Sequence, residues 1–344
     1  MEYIQSLSHI RFVLIKGSAI ADRRELNMVN SIYGDLNNET ACSFFDDGKI
    51  KSCKFEEENI IKTPVGKLIP KYQLSETRTR DKDSVEFYSN GLMKSIYLEN
   101  VTNIITPIGI IGCEFITFYE SGSIHRIFPT FGKVSGTWTE EEEIKLAPII
   151  KIDCGAVSIY NKLSCICFYE KGTIKSITLY TGEKTMVKVN GGEIEARFGI
   201  AFYENGSIKS IEPATPTLVN TAIGMVIAFN NDPVGIHGDT NSLEFDESGE
   251  VITVTTIQSG IEIIDKYGEI LHIAAQRKPS LLDIDVLQMF PIKISIESNG
   301  IEITDSNNQK KVFENNKFKF STFYNMLYIP EACGGNCSSC KGCN

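Results

Sequence analysis

The sequence predicts an all-β protein: an array of repeated β-hairpins and meanders in an extended twisted sheet or irregular solenoid, with short helices in insertions. Two observations lead there. Phe202-Tyr-Glu-Asn-Gly-Ser-Ile-Lys-Ser-Ile211 recurs as Phe87-Tyr-Ser-Asn-Gly-Leu-Met-Lys-Ser-Ile96, as Phe118-Tyr-Glu-Ser-Gly-Ser-Ile-His-Arg-Ile127 and as Phe168-Tyr-Glu-Lys-Gly-Thr-Ile-Lys-Ser-Ile177. Looser copies begin at Phe44 and Phe245, and a fainter one at Ile264. A second motif leads into several of these copies: Thr63-Pro-Val-Gly66, Thr106-Pro-Ile-Gly109 and Thr221-Ala-Ile-Gly224. Tyr33-Gly34 and Asn190-Gly-Gly192 sit at the equivalent place.

Each copy of the longer motif reads apolar, polar turn, Gly, polar, apolar, which is a hairpin signal. Two registers are open. A two-residue loop sets Phe202 opposite Lys209. A three-residue loop, a type I turn closed by a Gly bulge, sets Phe202 opposite Ile208 and Tyr203 opposite Ser207. The second keeps Phe and Ile on one face and is the expected register, since a one-residue slip turns the apolar set outward. Stacked copies then give an inner row of Phe44, Phe87, Phe118, Phe168, Phe202 and Phe245. Tyr88, Tyr119, Tyr169 and Tyr203 fall on the other face with Lys94, Lys175 and Lys209. The Pro-x-Gly turn adds a strand, so each unit of roughly 40 residues is expected to be a three-stranded meander.

The wording Phe-Tyr-Glu-Asn-Gly-x-Ile-Lys-Ser resembles the MORN repeat and related bacterial antitoxin-type repeat proteins, in patches over about 45–270. The chain departs from that family in lacking its dense Gly-x-Gly and Trp pattern and in its longer units. The resemblance implies a β-hairpin array that often serves as a protein- or lipid-binding surface. It implies no catalytic residue.

In chain order, residues 1–40 form an N-terminal cap with a strand at 10–15 and a short helix at 21–30. Residues 41–275 form the hairpin array. Cys42 and Cys53 flank the first hairpin; in the expected register Cys42 faces Ser52, so no disulfide is expected. The polar stretch 71–84 reads as an exposed insertion. Thr139 followed by Glu140-Glu-Glu-Glu143 reads as a helix start, with carboxylates at the positive end of the dipole. Consecutive helical residues point apart, so these glutamates do not converge on a metal. Residues 276–330 are a capping β segment, with a short helix at 280–290 and strands at 292–296, 301–304 and 311–313. Residues 331–344 form a flexible cysteine-rich tail.

The chain has 344 residues and a net charge of −10. That charge argues against non-specific nucleic-acid binding, which needs a basic surface. No apolar run reaches the roughly 20 residues needed to cross a bilayer, and the N-terminus lacks the pattern of a signal peptide. The expectation is a cytoplasmic protein with reduced thiols, no membrane span and a protein partner.

Three groups of residues could carry chemistry. His237 and Asp239 lie in a Gly-rich loop, where they could act as base or ligand; the same residues also make a good turn. An enzyme using this loop is an alternative to a non-enzymatic protein. Cys113, Cys154, Cys165 and Cys167 could be imagined as a metal site, but they read as core packing. Cys333, Cys337, Cys340 and Cys343, at C-x3-C-x2-C-x2-C spacing, are the strongest chemical signal. Four thiols separated by small residues can wrap an iron–sulfur cluster or zinc, and Cu(I) also suits them. The expected function is a repeat scaffold whose tail binds a metal or iron–sulfur centre. The alternative is an antitoxin-type or envelope-associated interaction module with a redox or incidental tail.

Overall fold

The computed structural model describes residues 28–37, 39–73, 77, 78, 80–233, 238, 240–280 and 286–325. The strand expected at 10–15, the loop pair His237 and Asp239, and the tail cysteines lie outside them.

The Phe202 copy folds as the three-residue loop requires. Phe202 pairs with Ile208. The Tyr203 N–H donates to the Ser207 carbonyl at 2.8 Å, and the Gly206 N–H to the Tyr203 carbonyl at 2.9 Å. Gly206 sits at φ 87°, where a Cβ is disfavoured. The same pairing joins Phe44 to Ile50, Phe87 to Met93, Phe118 to Ile124, Phe168 to Ile174 and Phe245 to Val251. At Asp305–Asn308 the turn recurs with Asn308 at φ 61° in place of Gly; Asn tolerates this region better than other side chains.

Beyond each of the six phenylalanine-led turns the register slips by one residue; the Asp305–Asn308 hairpin runs on without a slip. Phe202 faces Ile208, yet Ala201 faces Ser210, which leaves Lys209 as the extra residue of a β-bulge. Lys51, Lys94, His125, Lys175 and Ile252 hold the same place in the other hairpins. The bulge corrects one expectation. It sets Cys42 opposite Cys53 instead of Ser52, and the two form a disulfide.

The bulge also turns the residue two places beyond it back to the inner face. Ile96 pairs there with Ile116, Ile127 with Ile166, Ile177 with Ile200 and Ile211 with Leu243, all at 0% exposure. The core therefore has two rows, one of phenylalanine and one of isoleucine. Hairpins follow one another in chain order, from Glu39–Phe44 and Ile50–Phe55 through Gly192–Phe202 and Ile208–Pro213 to Gly300–Thr304 and Lys310–Glu314. All strand pairings among the described residues are antiparallel, with one isolated parallel bridge between Phe229 and Thr256. The sheet is open: among the described residues nothing joins Glu39–Phe44 to Lys310–Glu314.

Small hairpins pack on the inner face. Thr63 pairs with Gly66, Thr106 with Gly109 and Thr221 with Gly224. In each, the Thr hydroxyl donates to the Gly carbonyl, at 2.8, 2.6 and 2.7 Å. Their inward residues, such as Ile61, Leu68, Ile104, Ile111, Val219 and Val226, join one core with the phenylalanine row. A second core, with Ile261, Ile263, Ile292, Ile294, Ile301 and Ile303, lies where Phe318–Tyr324 returns to pair with Ser259–Asp265.

On the outer face, tyrosines link neighbouring hairpins. The hydroxyls of Tyr88, Tyr119, Tyr169 and Tyr203 donate to the carbonyls of Phe118, Phe168, Phe202 and Phe245 at 2.7–2.9 Å. Insertions cover part of this face. Helix Glu140–Leu146 starts at a capping box of Thr139 and Glu142. Its Glu143 is buried, at 3% exposure. It accepts from Arg78 Nε at 2.8 Å and from the Trp138 indole at 2.8 Å. Arg78 also binds Glu114 through two nitrogens, at 3.1 and 2.7 Å. The polar stretch that reads as an exposed insertion is thus held down by Arg78, and Arg80 lies 4.3 Å over the Phe131 ring.

The described ends of two predicted helices are strands instead. Asn30 falls in the strand Met28–Ser31, with most of the predicted 21–30 helix outside the described residues. The segment predicted as a helix at 280–290 ends in the strand Leu287–Phe290, which pairs with Gln276–Pro279. No helix among the described residues is long and apolar enough to cross a membrane.

Candidate functional site

Arg197 and Glu212 face each other across Gly192–Phe202 and Ile208–Pro213. Just past Arg197 the strand is irregular, and Phe198 takes φ 54°, a conformation that side-chain-bearing residues rarely hold. The kink leaves Glu212 at the floor of a cleft of about 560 Å³, in the usual range for small-molecule sites. Around it stand Thr178, Tyr180, Phe198, Asn241 and, at the rim, Glu140 and Asp232.

Glu212 is 1% exposed. Its Oε2 accepts from the Ser242 N–H at 2.8 Å. Its Oε1 accepts no hydrogen bond; the Arg197 guanidinium is 3.7 Å away. That guanidinium lies over the Phe229 and Phe198 rings, at 4.8 and 5.0 Å, and donates to the Asn230 carbonyl at 2.6 Å. Burial holds the Glu212 carboxyl above its ordinary value of 4.5; the Ser242 hydrogen bonds and the Arg197 charge offset this only in part. Thr178, 7% exposed, has a hydroxyl with no hydrogen-bond partner. Buried polar atoms are almost always satisfied, so two in one cleft are notable.

Gly199 backs the cleft. A Cβ there would stand 2.5 Å from Asn241 Oδ1 and 2.6 Å from the Gly238 Cα. Asn241 donates to the Gly238 carbonyl at 3.0 Å and to Ser210 Oγ at 2.8 Å. The Gly-rich loop singled out in the sequence therefore borders this cleft through Thr240 and Asn241, while His237 and Asp239 lie outside the described residues. Sequence reading missed Glu212 and Arg197, because each sits at an ordinary strand position and their pairing depends on register.

Burial pushes the Cys113 thiol up to about 12 and the Cys154 thiol up to about 11. Cys165 and Cys167 are 2% and 0% exposed. No group of three or more His, Cys, Asp or Glu among the described residues is placed to hold a metal ion. The quartet Cys333, Cys337, Cys340 and Cys343 lies outside them. No family model, curated protein or solved structure matches the chain.

Proposed function

We propose that the chain is a non-enzymatic β-hairpin repeat scaffold, of MORN-like or antitoxin type, that engages a protein partner. We propose further that Cys333, Cys337, Cys340 and Cys343 hold a metal or iron–sulfur centre. The observation that carries the scaffold reading is the outward side of the small hairpins. Strands there, and in the similar pairs Ile149–Asp153 with Ser158–Phe168 and Lys184–Val189 with Gly192–Phe202, largely alternate, so their outward residues are not needed for the core. Yet Ile110 is 73% exposed, Tyr160 72% and Leu218 60%, with Ile105, Ile149, Met186 and Met225 also exposed. Large apolar side chains on successive hairpins, in excess of core needs, fit a surface that a partner covers.

Thiol chemistry supports the tail reading. Metal ligation needs thiolate. Burial raises the Cys113 and Cys154 thiols, Cys165 and Cys167 are buried, and Cys42 is bonded to Cys53. Soft-metal capacity therefore falls to the tail.

Anaerobic purification followed by iron, zinc and sulfide analysis tests the metal reading. The full chain is expected to carry a stoichiometric metal or cluster that is lost when all four tail cysteines become serine. Metal-free protein that takes up none on reconstitution contradicts it. For the partner reading, Ile110→Glu with Tyr160→Glu and Leu218→Glu should abolish partner capture while the tail variant keeps it. Capture indifferent to the face variant contradicts it.

A further inference from the structure

We propose that the cleft floored by Glu212 and Thr178 is a binding site for a small organic cation, an alkylammonium compound whose N–H groups meet the Glu212 carboxylate and the Thr178 hydroxyl. Two buried side chains line the cleft with an atom to offer: Glu212 at 1% exposure and Thr178 at 7%. Neither Glu212 Oε1 nor Thr178 Oγ1 has a hydrogen-bond partner. The Glu212 carboxylate only accepts, so the guest must donate to it; the Thr178 hydroxyl, which both donates and accepts, can accept from the same guest.

The lining fixes its charge. Glu140, Glu212 and Asp232 all line the cleft, and no lysine or arginine does among the described residues. Arg197 stands behind Glu212, held between Phe198 and Phe229 and spent partly on the Asn230 carbonyl. Three carboxylates against one guanidinium leave the cleft anionic. Glu140 accepts from the Thr181 hydroxyl at 2.7 Å and Asp232 from the Gln288 amide at 3.4 Å, so neither rim carboxylate faces a cation. An anionic guest is repelled, and a neutral polyol leaves the charge uncompensated. A metal ion is not served, since no group of three or more metal-ligating side chains converges among the described residues. Tyr180 and Phe198 add aromatic surface, which favours an ammonium with an alkyl body. A bound ammonium would add to the partial countercharge that Arg197 gives Glu212.

The test is titration calorimetry on the full chain with putrescine as the cation and 1,4-butanediol as its neutral match. Putrescine is expected to bind saturably and the diol about tenfold more weakly or not at all. Glu212→Gln, which keeps shape and removes charge, should weaken putrescine about tenfold without lowering the melting temperature. If that variant fails to fold, Glu140→Gln with Asp232→Asn at the exposed rim decides: several-fold weakening supports the site. Absent putrescine binding, equal binding of the diol, or binding indifferent to the substitution that folds overturns the proposal.

Discussion

At Glu212, burial and charge pull against each other. Its carboxyl titrates above 4.5 because desolvation outweighs Ser242 and Arg197. The sign follows from linkage: an acid whose folded pKa is raised binds its proton more tightly in the folded state, so stability falls as pH climbs from 4.5 through the folded value. Glu212→Gln removes this dependence. Urea midpoints of wild type and variant should therefore diverge in that window, with the variant gaining, and run parallel above it; parallel curves throughout would refute the assignment. Glu143 is the opposite case. Burial alone would raise its pKa, but Arg78, the Gly132 N–H and Trp138 hold it below 4.5. Its contribution is present above pH 4.5 and lost as pH falls through the lowered folded value. Arg78→Met strands Glu114 and Glu143 together and is expected to cost about 3 kcal/mol at neutral pH. A loss under about 1 kcal/mol in chemical denaturation would mean the cluster does not hold the insertion down.

The hairpin is the element in which sequence and structure agree most closely, and its limits are instructive. Phe, Gly and Ile were legible because a turn needing positive φ restricts residue type, and the period-2 alternation around it sets the face. The bulge after each phenylalanine-led turn was not legible. Lys209 and its counterparts look like ordinary outward residues, and only the pairing of Ala201 with Ser210 exposes the slip. That slip placed Cys53 opposite Cys42. A cross-link across this short loop is expected to contribute about 3 kcal/mol. Non-reducing peptide mapping should recover the linked pair, and reduction should lower the melting temperature; two alkylatable thiols in native protein would contradict it. The tyrosine row was placed on the correct face by alternation, but its hydrogen bonds to the next hairpin were not foreseen. Tyr88→Phe and Tyr203→Phe should each cost about 1 kcal/mol and add when combined, since the Phe118 and Phe168 hairpins separate them. No loss in either variant would show that the bonds are incidental.

Over the whole molecule, one open antiparallel sheet runs from Glu39–Phe44 to Lys310–Glu314, with small hairpins closing its inner face. The all-β class was readable from turn chemistry alone. The covered outer face was not, because the insertions that carry Arg78, Glu143 and Asn241 dock through long-range contacts that no local pattern announces. The candidate cleft belongs to that hidden part: it needs a kink at Phe198, a loop around Gly238 and a strand pairing at once. The central claim is that neighbouring hairpins share one cooperative core through the paired isoleucines Ile96–Ile116, Ile127–Ile166 and Ile177–Ile200. Native-state hydrogen exchange read by mass spectrometry tests it most directly. Peptides covering Ile96, Ile127, Ile177 and Ile211 should show one common, high protection level, with fast exchange confined to the turns. An internal hairpin that exchanges freely between protected neighbours would contradict the account.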